Sequence, residues 1–105
     1  MAVEVGKAVN EQLYLSKANG GGIVRREIWV DGQDRIVRYN LAYINPLIYS
    51  GDNGRVVGYD SAHGHHHRHY KGKVAAVSFS SFARIEAQFQ KEWTKLAKEV
   101  RHAKN

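Results

Sequence analysis

The sequence predicts an α+β domain in which an antiparallel sheet of four to five strands, joined in sequential hairpin order, is packed by a C-terminal amphipathic helix. Two patterns support this prediction. Apolar and polar residues alternate through most of the chain with turn residues between the runs, and the last quarter changes to a helical period. We expect a single domain over residues 1–105, with a loose N-terminal arm at 1–12, the sheet at 13–77 and the helix at 80–103.

Turn residues divide the sheet region into predicted strands. Glycine-rich segments supply the positive φ values that hairpin turns need, and proline cannot donate a hydrogen bond to a continuing strand pair. Side chains between these segments alternate between the two faces of the sheet. The predicted strands are a first that starts at Leu13 and stops before the glycine run 20–22, a second over 23–30, a third ending at Asn45-Pro46, a fourth over 55–60, and a fifth from His66 or His67 to Tyr70 or Lys71.

A single apolar stripe predicts the helix. Its members recur every three or four residues, which is the period of one helix face. Ser80 or Ser81 can cap the N-terminus, and several basic residues near the C-terminus suit the helix dipole. The spacing also assigns five aromatic residues to the core rather than to a base-stacking surface. These are Tyr39, Tyr43, Phe82, Phe89 and Trp93.

Composition excludes several classes of function. Cysteine is absent, which removes disulfides, thiolate nucleophiles and cysteine-based zinc sites. No run approaches the about 20 apolar residues of a membrane span, and no secretion signal is recognisable, so we expect a cytoplasmic protein without membrane contact. The 16 Lys and Arg against 10 Asp and Glu leave a net charge of +6 with neutral histidines, which suits a polyanionic partner.

Five of the six histidines lie within residues 63–69. If this segment is a strand, His67, His69 and Lys71 share one side. Two neighbouring imidazoles can cleave RNA without a metal when one takes the 2′-hydroxyl proton and the other protonates the 5′-oxygen, while Arg68 or Lys71 stabilises the charge of the transition state. We expect Asp60 to orient an imidazole.

The same cluster permits other interpretations. His65, His67 and His69 are candidate ligands for zinc or another divalent metal, and Asp60 is the alternative to His65 as the third ligand. The protein would then be a non-catalytic module that binds nucleic acid or a protein partner. A purely structural role in a solvated polar strand is the third interpretation, although five histidines in seven residues favour a functional site.

Basic residues also flank the turn at Asp31-Gly32 on adjacent predicted strands. They form either a surface for RNA phosphates or an ordinary solvated face. Two residues at the end of the histidine segment extend this set. The candidate RNA-binding residues are Arg25, Arg26, Arg35, Arg38, Tyr70 and Lys73.

One segment of the sequence resembles a known family. It consists of Val57-Gly58-Tyr59-Asp60, followed by His67-Arg68-His69-Tyr70 and Gly72, and then by an aromatic, serine-containing approach to the terminal helix. This pattern resembles the TumE family of toxin–antitoxin toxins over about residues 13–95. The resemblance implies a toxin paired with a helix-turn-helix antitoxin, and it carries Asp60, His67, Arg68 and His69 over as site residues.

We therefore expect an RNA-cleaving toxin that needs no cofactor, with RNA and a cognate antitoxin as its partners. Formation of a homodimer is left open. A toxin that modifies a target other than RNA is a further alternative, although the sequence has no nucleotide-binding loop to support it.

Overall fold

The computed structural model describes residues 5–62 and 64–103, which contain six strands and one long helix. The strands form one antiparallel sheet in sequential order, so the predicted α+β class and hairpin connections are confirmed. The number of strands is six rather than four or five. The elements are β1 (Gly6–Tyr14), β2 (Ile23–Val30), β3 (Ile36–Ile44), β4 (Arg55–Ala62), β5 (His65–Tyr70), β6 (Lys73–Ala76) and α1 (Phe82–Ala103).

The N-terminal segment corrects one prediction. Residues 6–12 belong to β1 instead of a loose arm, and β1 pairs with β2 along its whole length, with a bulge between Lys7 and Val9. Nearly all β1 side chains are exposed, so the segment lacks the alternation that a half-buried strand shows. Its backbone hydrogen bonds to β2 define it instead. The short edge strand β6 was missed for the same reason, because all four of its residues are exposed.

The helix α1 covers one face of the sheet. Its residues Ile85 and Phe89 are buried against strand residues such as Leu41, Tyr43 and Val57. The backbone N–H of Arg84 donates to Oγ of Ser81, which confirms the second of the two predicted caps. All five aromatic residues assigned to the core belong to it, with Phe82 and Trp93 partly buried. No helix in the described part of the chain combines the length and apolar character needed to cross a membrane.

Strand register assigns each strand residue to one of two faces, because paired residues in adjacent strands point the same way. Tyr39, Leu41 and Tyr43 face α1, whereas Asn40 and Ala42 point away from it. We call the side turned away from α1 the open face. Its residues include Arg25, Glu27, Trp29, Arg38, Asn40, Ala42, Gly58, Asp60, His67 and His69.

The sheet divides at one end. Pairing between β3 and β4 stops at Asn40 and Asp60, although β3 extends back to Ile36 and β4 continues to Ala62. Beyond that point β3 stays paired with β2, and β4 stays paired with β5. The two halves of the sheet therefore form a fork, with Asp60 at its base.

Candidate functional site

Asp60, His67 and His69 meet on the open face. Asp60 and His67 are register partners across β4 and β5, and His69 lies two residues further along β5 on the same face. Nε2 of His69 lies 2.8 Å from Oδ2 of Asp60, and Nδ1 of His67 lies 3.6 Å from Oδ1. The carboxylate thus contacts two imidazoles, one through each oxygen, which is the convergence expected from the sequence.

The two imidazoles differ in their surroundings. His69 is the more buried, with a side chain that is 14% exposed against 33% for His67. A terminal guanidinium nitrogen of Arg55 lies 3.0 Å from Nδ1 of His69. Because a guanidinium only donates, this Nδ1 accepts, and the ring hydrogen therefore lies on Nε2 and is donated to Asp60. Both nitrogens of His69 are engaged, whereas the more exposed His67 has a ring nitrogen that does not face the carboxylate.

Arg55 is the site residue that the sequence analysis missed. Its Nε donates to Asp52 at 2.8 Å, and another of its nitrogens lies 3.7 Å from Asp60, so it spans two carboxylates beside the imidazole. Its side chain passes over Gly58, where an added Cβ would lie 3.0 Å from Cδ of Arg55. A glycine in the middle of a predicted strand often marks such a close approach, and this was the available signal.

Arg68 does not belong to this cluster. It points to the α1 side of the sheet, where it pairs with Glu92 and donates from Nε to the hydroxyl of Tyr59. The hydrogen bond that Arg68 donates to Glu92 raises the pKa of the Arg68 guanidinium. Burial, together with the hydrogen bond and charge of Glu92, raises the pKa of Tyr59 to about 12. Strand alternation therefore places Arg68 on the opposite face of the sheet from His67 and His69, and its role at the substrate's phosphate stays a prediction.

Lys71 is likewise removed from the cluster. The strand β5 ends at Tyr70, and Lys71 lies in the following turn with a φ of 47°. The alternation that would have placed it beside His69 therefore does not extend to it. Its ammonium group lies 5.5 Å from the centre of the Tyr70 ring, which itself packs against the core on the α1 side.

Two of the six candidate RNA-binding residues lie on the open face of the sheet, and the other four do not. Arg25 and Arg38 lie on the open face, and Arg38 stacks on Trp29 at 4.7 Å. Arg26 is held by Glu86 and Glu11 on the α1 side. Arg35 pairs with Asp31 at 2.8 Å within the turn. Tyr70 and its register partner Lys73 lie away from the open face.

The open face also carries charged groups and contacts that the sequence pattern did not indicate. Lys7 of β1 lies 4.9 Å from the Trp29 ring and pairs with Glu27 at 2.6 Å. The hydrogen bond from Lys7 is the main reason that the pKa of Glu27 is lowered. Nε of Arg25 is buried without a hydrogen-bond partner among the described residues. Cations from β1, β2 and β3 therefore extend the site away from Asp60 across the sheet.

The structure describes all three residues proposed as metal ligands, His65, His67 and His69. The rings of His65 and His67 are 6.4 Å apart, and His63 lies outside the described residues. Within residues 5–62 and 64–103, no group of three His, Asp or Glu side chains is arranged to hold a metal ion. Binding of a metal by His65, His67 and His69 stays a prediction.

Fold and site together define a small basic α+β protein with a carboxylate and two imidazoles on the open face of its sheet. The family model for toxin TumE matches residues 16–100 of the 105 residues. The chain belongs to the TumE toxin family, which confirms the resemblance and the toxin role. No curated protein and no solved structure matches the chain.

Proposed function

We propose that this TumE-family toxin cleaves RNA by metal-independent general acid–base catalysis at Asp60, His67 and His69. The observation that carries the proposal is the contact of one carboxylate with two imidazoles on a face that also bears Arg25, Arg38 and Arg55. Neighbouring titratable groups of this kind are concentrated at catalytic sites. The adjacent cations suit a phosphodiester backbone.

His67 is the proposed general base. Its side chain is one-third exposed, and Asp60 lies near Nδ1, so its other ring nitrogen is free to approach a 2′-hydroxyl group. In this role Asp60 holds the ring and stabilises the imidazolium that forms when the proton is taken.

His69 is the proposed general acid, and Arg55 controls it. In the structure Nδ1 of His69 accepts a hydrogen bond from Arg55. A bound phosphate competes for the same guanidinium, because Arg binds phosphate oxygens strongly. Nδ1 is then free to take up a proton, and Asp60 at 2.8 Å from Nε2 stabilises the imidazolium.

The proposed cleavage reaction needs no reactant other than the RNA and these side chains. His67 removes the 2′-hydroxyl proton as the 2′-oxygen forms a bond to phosphorus. The bond from phosphorus to the 5′-oxygen breaks, and His69 donates a proton to that oxygen while Arg55 stabilises the negative charge. The products are a 2′,3′-cyclic phosphate and a 5′-hydroxyl. No metal takes part.

We also propose that the toxin acts in the cytoplasm and is neutralised by a helix-turn-helix antitoxin. Membership of a toxin family supports an antitoxin partner, and the basic composition supports an acidic or polyanionic one. Formation of a homodimer stays a prediction, which the molar mass of the purified chain tests directly.

The testing experiment incubates purified protein with total RNA, with and without EDTA, and analyses the product ends. Cyclic phosphate ends that form in EDTA support the proposal. Loss of cleavage in EDTA would favour the metal alternative, and intact RNA in both samples would favour a binding module.

Variants tie the activity to the site. His67→Ala and His69→Ala are each expected to lower the cleavage rate by about 10²- to 10⁴-fold and to relieve growth inhibition. Lys98 is exposed on α1, so Lys98→Ala serves as the control. It is expected to leave the cleavage rate and the growth inhibition unchanged. Cleavage by a folded double variant at wild-type rate would overturn the proposal.

A further inference from the structure

The fork between β3 and β4 encloses a cavity of about 580 Å³. It lies where the two strands stop pairing, so the edge of β3 has no strand partner there. The amide of Tyr39 donates to Oγ of Ser61 at 3.1 Å in place of a strand hydrogen bond. The principal lining residues are Val37, Arg38, Tyr39, Ser61, His66 and Phe79.

One wall of the fork is a stack of flat rings. The rings of His66 and Phe79 are 4.1 Å apart and nearly parallel, at 7°. Phe79 is 46% exposed and lines the cavity, so part of its ring is open to contact with a ligand. The Tyr39 hydroxyl lies 2.8 Å from Nδ1 of His66. In the tautomer that carries its hydrogen on Nε2, His66 accepts from Tyr39 at Nδ1 and can donate to a ligand from Nε2.

The fork also adjoins the proposed cleavage site. The pair Ser61 and His66 is the next register pair after Asp60 and His67 along β4 and β5. Successive strand residues advance by about 3.3 Å, so the two places are within one or two nucleotide steps of each other. Arg38 lines the cavity and also lies on the open face, which connects the fork to the side where His67 is exposed.

We propose that the fork is a base-binding subsite, in which a nucleobase of single-stranded RNA stacks on Phe79 and is read by His66. RNA recognition commonly combines stacking on an aromatic ring with hydrogen bonds to the base edges, and the fork offers both. Arg38 supplies a cation for the attached phosphate. This inference rests on the proposed function for its choice of RNA as the ligand.

The test separates binding from cleavage. A 2′-O-methylated RNA oligonucleotide lacks the attacking hydroxyl and cannot be cleaved, so its affinity reports binding alone. Fluorescence anisotropy of a labelled oligonucleotide is measured with the full chain and with Phe79→Ala, Phe79→Tyr and Leu47→Ala. Leu47 is 81% exposed and remote from the lining residues, which makes Leu47→Ala a matched control for loss of an exposed apolar side chain.

Phe79→Ala is expected to weaken binding by about 5- to 100-fold, because stacking on one aromatic ring has that effect on affinity. Phe79→Tyr and Leu47→Ala are expected to bind as the wild type does. Equal affinity of all four proteins would overturn the base-binding subsite, even if RNA is cleaved. Binding that depends on Phe79, combined with unmodified RNA that stays intact, would support the subsite and overturn RNA cleavage.

An NMR experiment distinguishes RNA from a protein partner as the ligand of the fork. In NMR spectra of the full chain, the ring resonances of Phe79 and His66 are expected to shift on addition of the methylated RNA. If they shift only when a peptide from the cognate antitoxin is added, the fork is a protein-docking site and the inference is wrong.

Discussion

Arg55 donates a hydrogen bond across 3.0 Å to Nδ1 of His69, on the same face of the sheet that carries Asp60. This contact determines which nitrogen of His69 carries the hydrogen, and it places a guanidinium beside the proposed position of the substrate's phosphate. Arg55 thus links the histidine cluster to the cationic part of the open face.

Replacement of Arg55 by alanine tests this link. We expect the rate of RNA cleavage to fall by about 10²-fold or more, because a donor aimed at the developing charge is lost. Arg84→Ala is the matched control, since Arg84 is exposed on α1. Rates are measured on a fluorescent RNA substrate. A folded Arg55→Ala protein that cleaves as fast as Arg84→Ala would show that Arg55 has no part in the step.

Arg68→Ala tests the structural role of a residue that the family resemblance places in the site. We expect the free energy of unfolding to fall by about 1–3 kcal/mol, because Glu92 loses its partner in a partly buried position. The folded protein should retain its cleavage rate. Urea denaturation and single-turnover cleavage measure the two quantities.

A second change checks the cause of that destabilisation. Replacing all three contacting groups, as Arg68→Met with Glu92→Leu and Tyr59→Phe, should restore most of the stability, because no unpaired charge and no unpaired hydroxyl remains. A large loss of cleavage rate in this stable triple variant would place Arg68 back among the catalytic groups.

Gly58→Ala tests the close approach of Arg55 to the sheet. The new Cβ would lie 2.7 Å from the backbone oxygen of Leu41 and 3.0 Å from Cδ of Arg55. We expect a loss of about 1–3 kcal/mol in stability, together with slower cleavage as Arg55 is displaced. Gly6→Ala is the control, because nothing lies within 4 Å of its added Cβ. Equal melting temperatures for the two variants would contradict the crowding at Gly58.

Salt dependence tests the RNA contacts of the open face. Each phosphate contact on a single strand contributes about −0.7 to the slope of log affinity against log salt. Arg25→Gln is expected to make that slope shallower by this amount. Arg26→Gln, on the opposite face and already paired with Glu86, should leave the slope unchanged. The same slope change in both variants would mean that the face assignment does not govern RNA binding.

Alkaline unfolding tests the burial of Tyr59 beside Glu92. Burial, together with the hydrogen bond and charge of Glu92, raises the pKa of Tyr59 from the ordinary value of 10.0 to about 12. Its stabilisation is therefore complete below pH 10 and is lost as the pH rises from about 10 to 12. Between pH 10 and 12, the free energy of unfolding should fall less steeply with pH in Tyr59→Phe than in the wild type. The two slopes should differ by up to about 1.4 kcal/mol per pH unit. Parallel decreases in the two proteins between pH 10 and 12 would refute the shift.

The elements with a buried face were predictable. The stripe of α1 and the alternation in β3 each reflect burial of one side, and both predictions agree with the structure. The strands β1 and β6 were not predictable in this way, since their exposed side chains leave no alternating pattern and only backbone pairing defines them. The N-terminal arm and the strand number were wrong for that reason.

The candidate site was predictable only in part. Asp60, His67 and His69 converge as local strand geometry requires, because they lie on two paired strands and share a face. Arg55 and the fork depend on where β3 and β4 stop pairing, which no local pattern records. Arg68 lies on the opposite face of the sheet from His67 and His69, where it pairs with Glu92, and its role in the site stays a prediction.

The sequence by itself determined the fold class and the placement of an aspartate and two histidines on one sheet face, because periodicity and local spacing encode these features. The family followed from the resemblance of the segment between Val57 and Gly72 to the TumE toxins. The tertiary structure decided which cations accompany them, how the imidazole nitrogens of His69 are occupied, and that the sheet opens into a fork beside Asp60. Those features arise from contacts between residues distant in the chain, and such contacts exist only once the strands and the helix have packed.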